Sequence, residues 1–434
     1  MKLADVFCDG MVLQRDKEIR VFGSGKGEGK IEFLGCETPF SVDGDFVVTL
    51  PPASAGGPYE MRVTVGGETA VIRDILVGDV YLASGQSNMA LTLGEIGQEA
   101  DAETDAVRYF REPHFPDDNL DPWLDSRGWE KCEKEASKGF SAVAYYFAAR
   151  LNAETGVPVG IVCSSIGAST VDAWTSPEVV NTPEYQAFVA VRHNDFFEYK
   201  FNQNCWLFRN KLKPLIPYSF AGVLWYQGES DRCAAEAANY DKMLAALIAD
   251  WRGRFGETLP FYCVQIMPFN EPQSEPAWAM IREGIEKAAK TVEKTYLLTL
   301  FNTGEADNIH PTKKRGVGEA FANAVLCRQF GREVEYCGPV LEAVSVADGK
   351  AKLTFSHADG LRFDGAPRDV YALLPGGEAP AECELADGAI LVKLPPDAIG
   401  VSMGYRNAPE HNLYNSSGYL ASPFRYYFQK AEKK

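Results

Sequence analysis

Four short clusters of small polar and ionisable residues stand out along the chain. They are Gly85-Gln86-Ser87-Asn88-Met89, Ser164-Ser165-Ile166-Gly167-Ala168-Ser169, Gln227-Gly228-Glu229-Ser230 and Asp307-Asn308-Ile309-His310-Pro311. Together they hold a hydroxyl, oxyanion donors, carboxylates and a histidine, the parts needed for acyl transfer from a serine nucleophile. Ser87 supplies the nucleophile and its own backbone N–H, and Gly85 permits a sharp turn before it. Gly167 brings a further backbone N–H near the same oxyanion without a Cβ in the way, and Gln227 offers a side-chain amide donor. His310 takes the Ser87 proton. Asp307, three residues earlier, accepts the other ring N–H and fixes the tautomer. Taken singly, each residue has a plainer reading, since Ser is a favoured helix N-cap and a lone His is more often structural.

These clusters need elements to carry them. Over residues 77–335, apolar strand-like runs alternate with helical patterns. The runs are 79–84, 157–165, 221–227, 259–266 and 295–301. Between them, 139–154 sets Phe140, Val143, Phe147 and Leu151 on one helical face, and 239–255 does the same with Leu244, Leu247, Ile248 and Trp251. Such alternation predicts an α/β fold, a parallel five-stranded sheet with helices on both faces. Ligands of such sheets sit at the carboxyl ends of the strands, and four of the five runs end in or lead to one of the clusters. Residues 1–76 and 336–434 instead show short apolar alternations broken by Gly and Pro, the pattern of antiparallel β regions. Each is small for a core of its own, which predicts that they pack on each other or on the middle.

The blocks GQSNM, SSIGAS, WYQGES and DNIHP, in this order, resemble those of SGNH (GDSL-like) hydrolases. More closely, they resemble the sialate O-acetylesterase family and its acetylxylan esterase relatives. Segments 11–23 and 407–425 extend the resemblance to nearly the whole chain. It implies a flavodoxin-like hydrolase domain with flanking β elements, and deacetylation of a sugar ester through an acetyl-enzyme. Carried over by residue, it implies Ser87 as nucleophile, His310 as base, Asp307 as acid partner, and Gly167 and Gln227 as oxyanion donors. Glu229 is the alternative acid, or else a buried carboxylate bracing the loop. Gln86, Asn88 and Tyr226 are candidate substrate contacts, and Trp174 and Trp225 are aromatic candidates for stacking on a sugar. The chain departs from the family pattern at Ala168, where Gly is common, and at Ile166, where an aromatic is expected. A catalytically silent carbohydrate-binding protein and an acetyl transferase on the same fold remain as alternatives.

Composition narrows the partners. Lys and Arg number 43 against 60 Asp and Glu, a net charge of −17, which disfavours nucleic-acid backbones. No apolar run reaches the ~20 residues of a membrane-spanning helix. Asp5 and Asp9 interrupt any apolar leader core, so the expectation is a cytoplasmic protein. Ten Cys include no Cys-x-x-Cys pair, and His310 has no second His close by, so neither a metal nor a cofactor is expected. The expected partner is an acetylated carbohydrate.

Overall fold

The strand Glu68–Gly85 changes character half-way along. Its first half is partly exposed and pairs antiparallel with Gly56–Val65, while Val12–Gln14 joins it in parallel from Leu76 to Gly78. From Val77 onward every residue is buried, as expected of a strand covered on both faces. Residues Asp79–Gly85 pair in parallel with Val159–Ser165 on one side, and Tyr81–Gly85 with Gly222–Tyr226 on the other. The computed structural model describes residues 1–112, 128–189, 198–256, 258–271, 276–300 and 303–428. The boundary expected between residues 76 and 77 falls inside this one strand.

The parallel sheet runs in the order Thr104–Arg111, Val159–Ser165, Glu68–Gly85, Gly222–Tyr226, Phe261–Val264, Thr295–Leu298. It therefore has six parallel strands where the sequence predicts five, and Trp129–Cys132 adds an antiparallel edge. The additional strand is Thr104–Arg111. Its charged residues hide it, because Arg108 is buried yet satisfied by a two-pronged pair to Asp74 (3.1 and 3.2 Å) and a bond to the Gly10 carbonyl (3.2 Å). The planar guanidinium trades its bonds to water for charge-assisted bonds to these acceptors, which offsets the cost of burying it.

Two helix pairs cover the sheet. Ala142–Thr155 packs with Arg315–Arg328, and Ala234–Phe255 packs with Ala277–Thr291. Tyr81 meets Phe147 of the first pair. Trp225, in register with Ser84 and so on the opposite face, meets Trp251 of the second. All eight apolar residues predicted to face inward are buried, although Phe140 lies just before the first helix, which begins at Ala142. Ser141 caps the first, its Oγ accepting from the Ala144 N–H at 3.1 Å, and Gly156 ends it at φ 69°.

The flanking segments form sheets. Ile19–Phe33 and Cys36–Leu50 make a hairpin in unbroken register from Ile19↔Leu50 to Phe33↔Cys36. Beyond Val340 lie two four-stranded antiparallel sheets around their own apolar cluster, which includes Leu353, Phe355, Ile390, Val401 and Phe424. This region docks on the middle of the chain. The Thr299 hydroxyl accepts from the Gly338 N–H (2.7 Å) and donates to the Leu420 carbonyl (2.8 Å), and Arg282 donates to the carbonyls of Arg406 and Asn407 (2.9 Å each).

Candidate active site

The chain leaves the central strand toward one side of the sheet first and the other later, and at such a switch point the carboxyl ends of adjacent strands are where sheets of this kind bind ligands. The central strand and its two neighbours each carry a cluster there. Gly85 sits at φ 134°, and a Cβ there would lie 2.1 Å from the Tyr226 carbonyl oxygen, so only glycine fits. The next N–H, of Gln86, donates to that same carbonyl (3.0 Å). Ser87 then opens the short helix Ser87–Ala90. Gly167 lies beside it: a Cβ on Gly167 would stand 3.6 Å from the Ser87 Cβ. From the loop after the last strand, His310 places Nε2 at 2.8 Å from Ser87 Oγ. That loop is held by its own bonds: the His310 N–H donates to Asn308 Oδ1 (3.0 Å) and Asn308 Nδ2 to Glu305 Oε2 (3.2 Å).

The other expected residues take different places. The Gln227 side chain is fully buried, its Nε2 donating to the Ser169 carbonyl (2.8 Å), Asp231 Oδ2 and Gln86 Oε1 (3.2 Å), while its Oε1 accepts from Tyr240 (2.7 Å). An amide NH₂ has two hydrogens, and both are engaged inside the protein, so Gln227 does not point at an oxyanion. Gln86 is buried beneath the serine, its Oε1 also accepting from the N–H groups of Gly228 and Ser230 (3.2 Å each). Asn88 and Tyr226 are buried as well. All three side chains are thus packed within the protein. Trp174 and Trp225 are core residues, 0% exposed.

Neither candidate acid hydrogen-bonds His310 among the described residues. Asp307 is exposed and accepts from Asn270 Nδ2 (3.0 Å). Glu229 is buried under the serine helix and accepts from Asn88 Nδ2 (2.7 Å) at Oε1. Its Oε2 has no hydrogen-bond partner among the described residues. His114 and His193 lie outside the described residues. His357 pairs with Glu335 (2.8 Å), and His411 is buried against the Ala421 carbonyl (2.7 Å).

The pattern of the carbohydrate esterase family described as sialic acid-specific acetylesterase matches residues 77–327, more than half of the chain, from the second half of the serine strand through the His310 loop. The chain belongs to this family. It is 25% identical over 364 residues to the sialate O-acetylesterase of Homo sapiens, covering 76% of this chain and 69% of that one. To that of Mus musculus it is 24% identical over 378 residues, covering 72% and 69%. Among solved structures, a carbohydrate acetylesterase from Xanthomonas citri is 31% identical and superposes with a TM-score of 0.86 over 98% of this chain and 99% of that chain. This member of the family is a carboxylic ester hydrolase, and its chemistry is hydrolysis of acetyl esters on sugars.

The electrostatics of the esterase add residues that sequence reading missed. His310 is held below the usual imidazole range, chiefly because the ring is partly screened from water and next because it faces the Lys314 ammonium; the Glu95 carboxylate works the other way. Burial pushes the Glu229 carboxyl up, against the opposing pull of its bond to Asn88 and the charges of Lys314 and Arg282. Lys314 is itself buried and donates to Asn88 Oδ1. In the sequence it sits in Lys313-Lys314-Arg315, a run that reads as solvated surface charge. Beside the serine helix a recess of about 30 Å³ is lined by Ala90 and Ile166 and by the polar Arg111, Glu112, Ser164 and Lys211.

Proposed function

We propose that this esterase removes acetyl groups from carbohydrate through an acetyl-enzyme on Ser87. The observation that carries the reading is the 2.8 Å approach of His310 Nε2 to Ser87 Oγ with Gly167 alongside. Ser87 Oγ attacks the acetyl carbonyl carbon while His310 Nε2 takes the hydroxyl proton. The carbonyl oxygen becomes an oxyanion facing the backbone N–H groups of Ser87 and Gly167. The C–O bond to the sugar breaks, and Nε2 returns the proton to the leaving alkoxide. Water, deprotonated by the same nitrogen, then releases acetate and restores Ser87. His310 is suited to this at neutral pH, because its depressed pKa keeps the ring in the base form. Acetylated sialic acids and acetylated xylo- or manno-oligosaccharides are the substrate classes in view.

The test is acetate release from a 9-O-acetylated sialic acid, acetylated xylo- and manno-oligosaccharides and an aryl acetate, with Ser87→Ala alongside. The expected result is turnover that falls at least ~10³-fold in the variant. Near-normal rates in Ser87→Ala would remove the serine from its role. Ligand binding without acetate release by the native enzyme would favour a binding protein.

A further inference from the structure

We infer that Lys314 is a positioning residue for the Ser87–His310 pair, acting through a buried bridge of Lys314, Asn88 and Glu229. The inference rests on the proposed roles of Ser87 and His310 and adds a third component to them. Asn88 directly follows Ser87 and is 1% exposed. Its Oδ1 accepts from Lys314 Nζ, while its Nδ2 donates to Glu229 Oε1 (2.7 Å) and to the Ile309 carbonyl (3.0 Å). Ile309 directly precedes His310. One amide thus ties together the serine segment, the Gln227–Ser230 segment and the histidine loop. With a cation on its oxygen side and a carboxylate on its nitrogen side, the amide cannot flip without facing like to like.

The composition of the bridge argues for a role beyond packing. A lysine 1% exposed and a carboxylate 3% exposed are costly to bury, and the same space filled with apolar groups would be at least as stable. Burial draws Lys314 down to about 8, with Glu229 opposing. The Tyr226 ring, its centroid 5.6 Å from Lys314 Nζ, covers the cation, and Arg282 faces Glu229 from the helix Ala277–Thr291. Among the described residues no carboxylate hydrogen-bonds His310, and the bond from Asn88 to the Ile309 carbonyl joins its loop to the serine helix in addition to the Ser87–His310 bond itself. The ammonium also faces the imidazole, with Glu95 as the opposing charge and Asp307 the next carboxylate along the loop, and so favours the neutral base.

The experiment measures kcat and KM for an aryl acetate from pH 5 to 9 in the native enzyme, Lys314→Met, Lys314→Gln, Glu229→Gln and the double variant Lys314→Met/Glu229→Gln. Melting curves confirm folding. Lys314→Met is expected to lower kcat by about tenfold or more with KM within about twofold. Loss of the cation raises the His310 pKa, so the acid limb of kcat/KM moves to higher pH in both lysine variants. Because the two charges act as one unit, the double variant loses no more than the worse single variant. An unmoved acid limb, losses that multiply, or a rise in KM at constant kcat would overturn the inference. If Lys314→Met fails to fold, Lys314→Gln, which keeps a donor but removes the charge, gives the same reading of the acid limb. Failure of the serine mechanism is distinguishable, since it shows as full activity in Ser87→Ala whatever the Lys314 variants do.

Discussion

Ser87 and His310 lie far apart in sequence, on a short helix and a loop that buried side chains hold together beneath their direct bond. Asp307 is exposed and bonded to Asn270, whereas Glu229 is buried in the Asn88 bridge. Glu229→Gln is therefore expected to cost more kcat than Asp307→Asn, which should lose less than about tenfold. A loss near ~10⁴-fold in Asp307→Asn, the scale seen when an orienting carboxylate is removed, would mean that Asp307 turns onto the ring during turnover. Gln227→Ala strands the Ser169 carbonyl and takes one partner each from Asp231, which keeps the Val171 N–H, and from the Tyr240 hydroxyl, which keeps the carbonyl of residue 227, so its cost should appear in the melting temperature, at roughly 1–3 kcal/mol for the carbonyl left unpaired. Motif order in the sequence is enough to bring Ser87, Gly167 and His310 to one place. It does not separate side chains that face the Ser87–His310 pair from those that turn under it. Gln86, Asn88, Tyr226 and Gln227 are polar residues at strand ends in either case, and only the packing beneath the serine decides. Lys314 escapes notice for the same reason, since nothing local marks one lysine of a basic run as buried.

Among the elements, the apolar runs with helices between them were readable because a strand buried on both faces leaves a continuous hydrophobic signature. Thr104–Arg111 was not, because Arg108 reaches its partners on the N-terminal segments, Gly10 and Asp74, and no local pattern encodes those contacts. The helix Arg315–Arg328 follows directly on Lys314 and lies against Ala142–Thr155 with no room to spare. A Cβ on Gly318 would fall 2.5 Å from the Val143 carbonyl oxygen and 2.6 Å from the Tyr146 Cβ. Gly318→Ala is therefore expected to destabilise the fold by about 1–3 kcal/mol, the usual cost of overpacking. Because that helix begins just after the His310 loop, kcat should fall with it. Differential scanning fluorimetry and aryl acetate kinetics on the same preparation check both, and an unchanged melting temperature would show that the helices separate freely.

For the molecule as a whole, acid is the condition that should loosen it. His411 is buried in the C-terminal region, and desolvation lowers it from 6.5 to about 4. Below pH 6.5 the unfolded chain takes up a proton that the folded chain refuses, so stability falls as pH drops from about 6.5 to about 4. The full effect is on the order of 3 kcal/mol. Melting temperature against pH should show this slope in the native protein and a flatter one in His411→Asn. Among the described residues no helix is long and apolar enough to cross a membrane. The long strand Glu68–Gly85 has a consequence for synthesis. The partners of its first half, Val12–Gln14 and Gly56–Val65, leave the ribosome before it does. The partners of its second half, Val159–Ser165 and Gly222–Tyr226, emerge about 80 and about 140 residues later, a delay on the order of ten seconds at ~5–20 residues per second. For that interval the nascent chain presents the apolar stretch Val80–Ala83, just ahead of Ser87, as an open sheet edge. The yield of folded enzyme should then respond to translation speed and chaperone supply as well as to the stability of the finished fold.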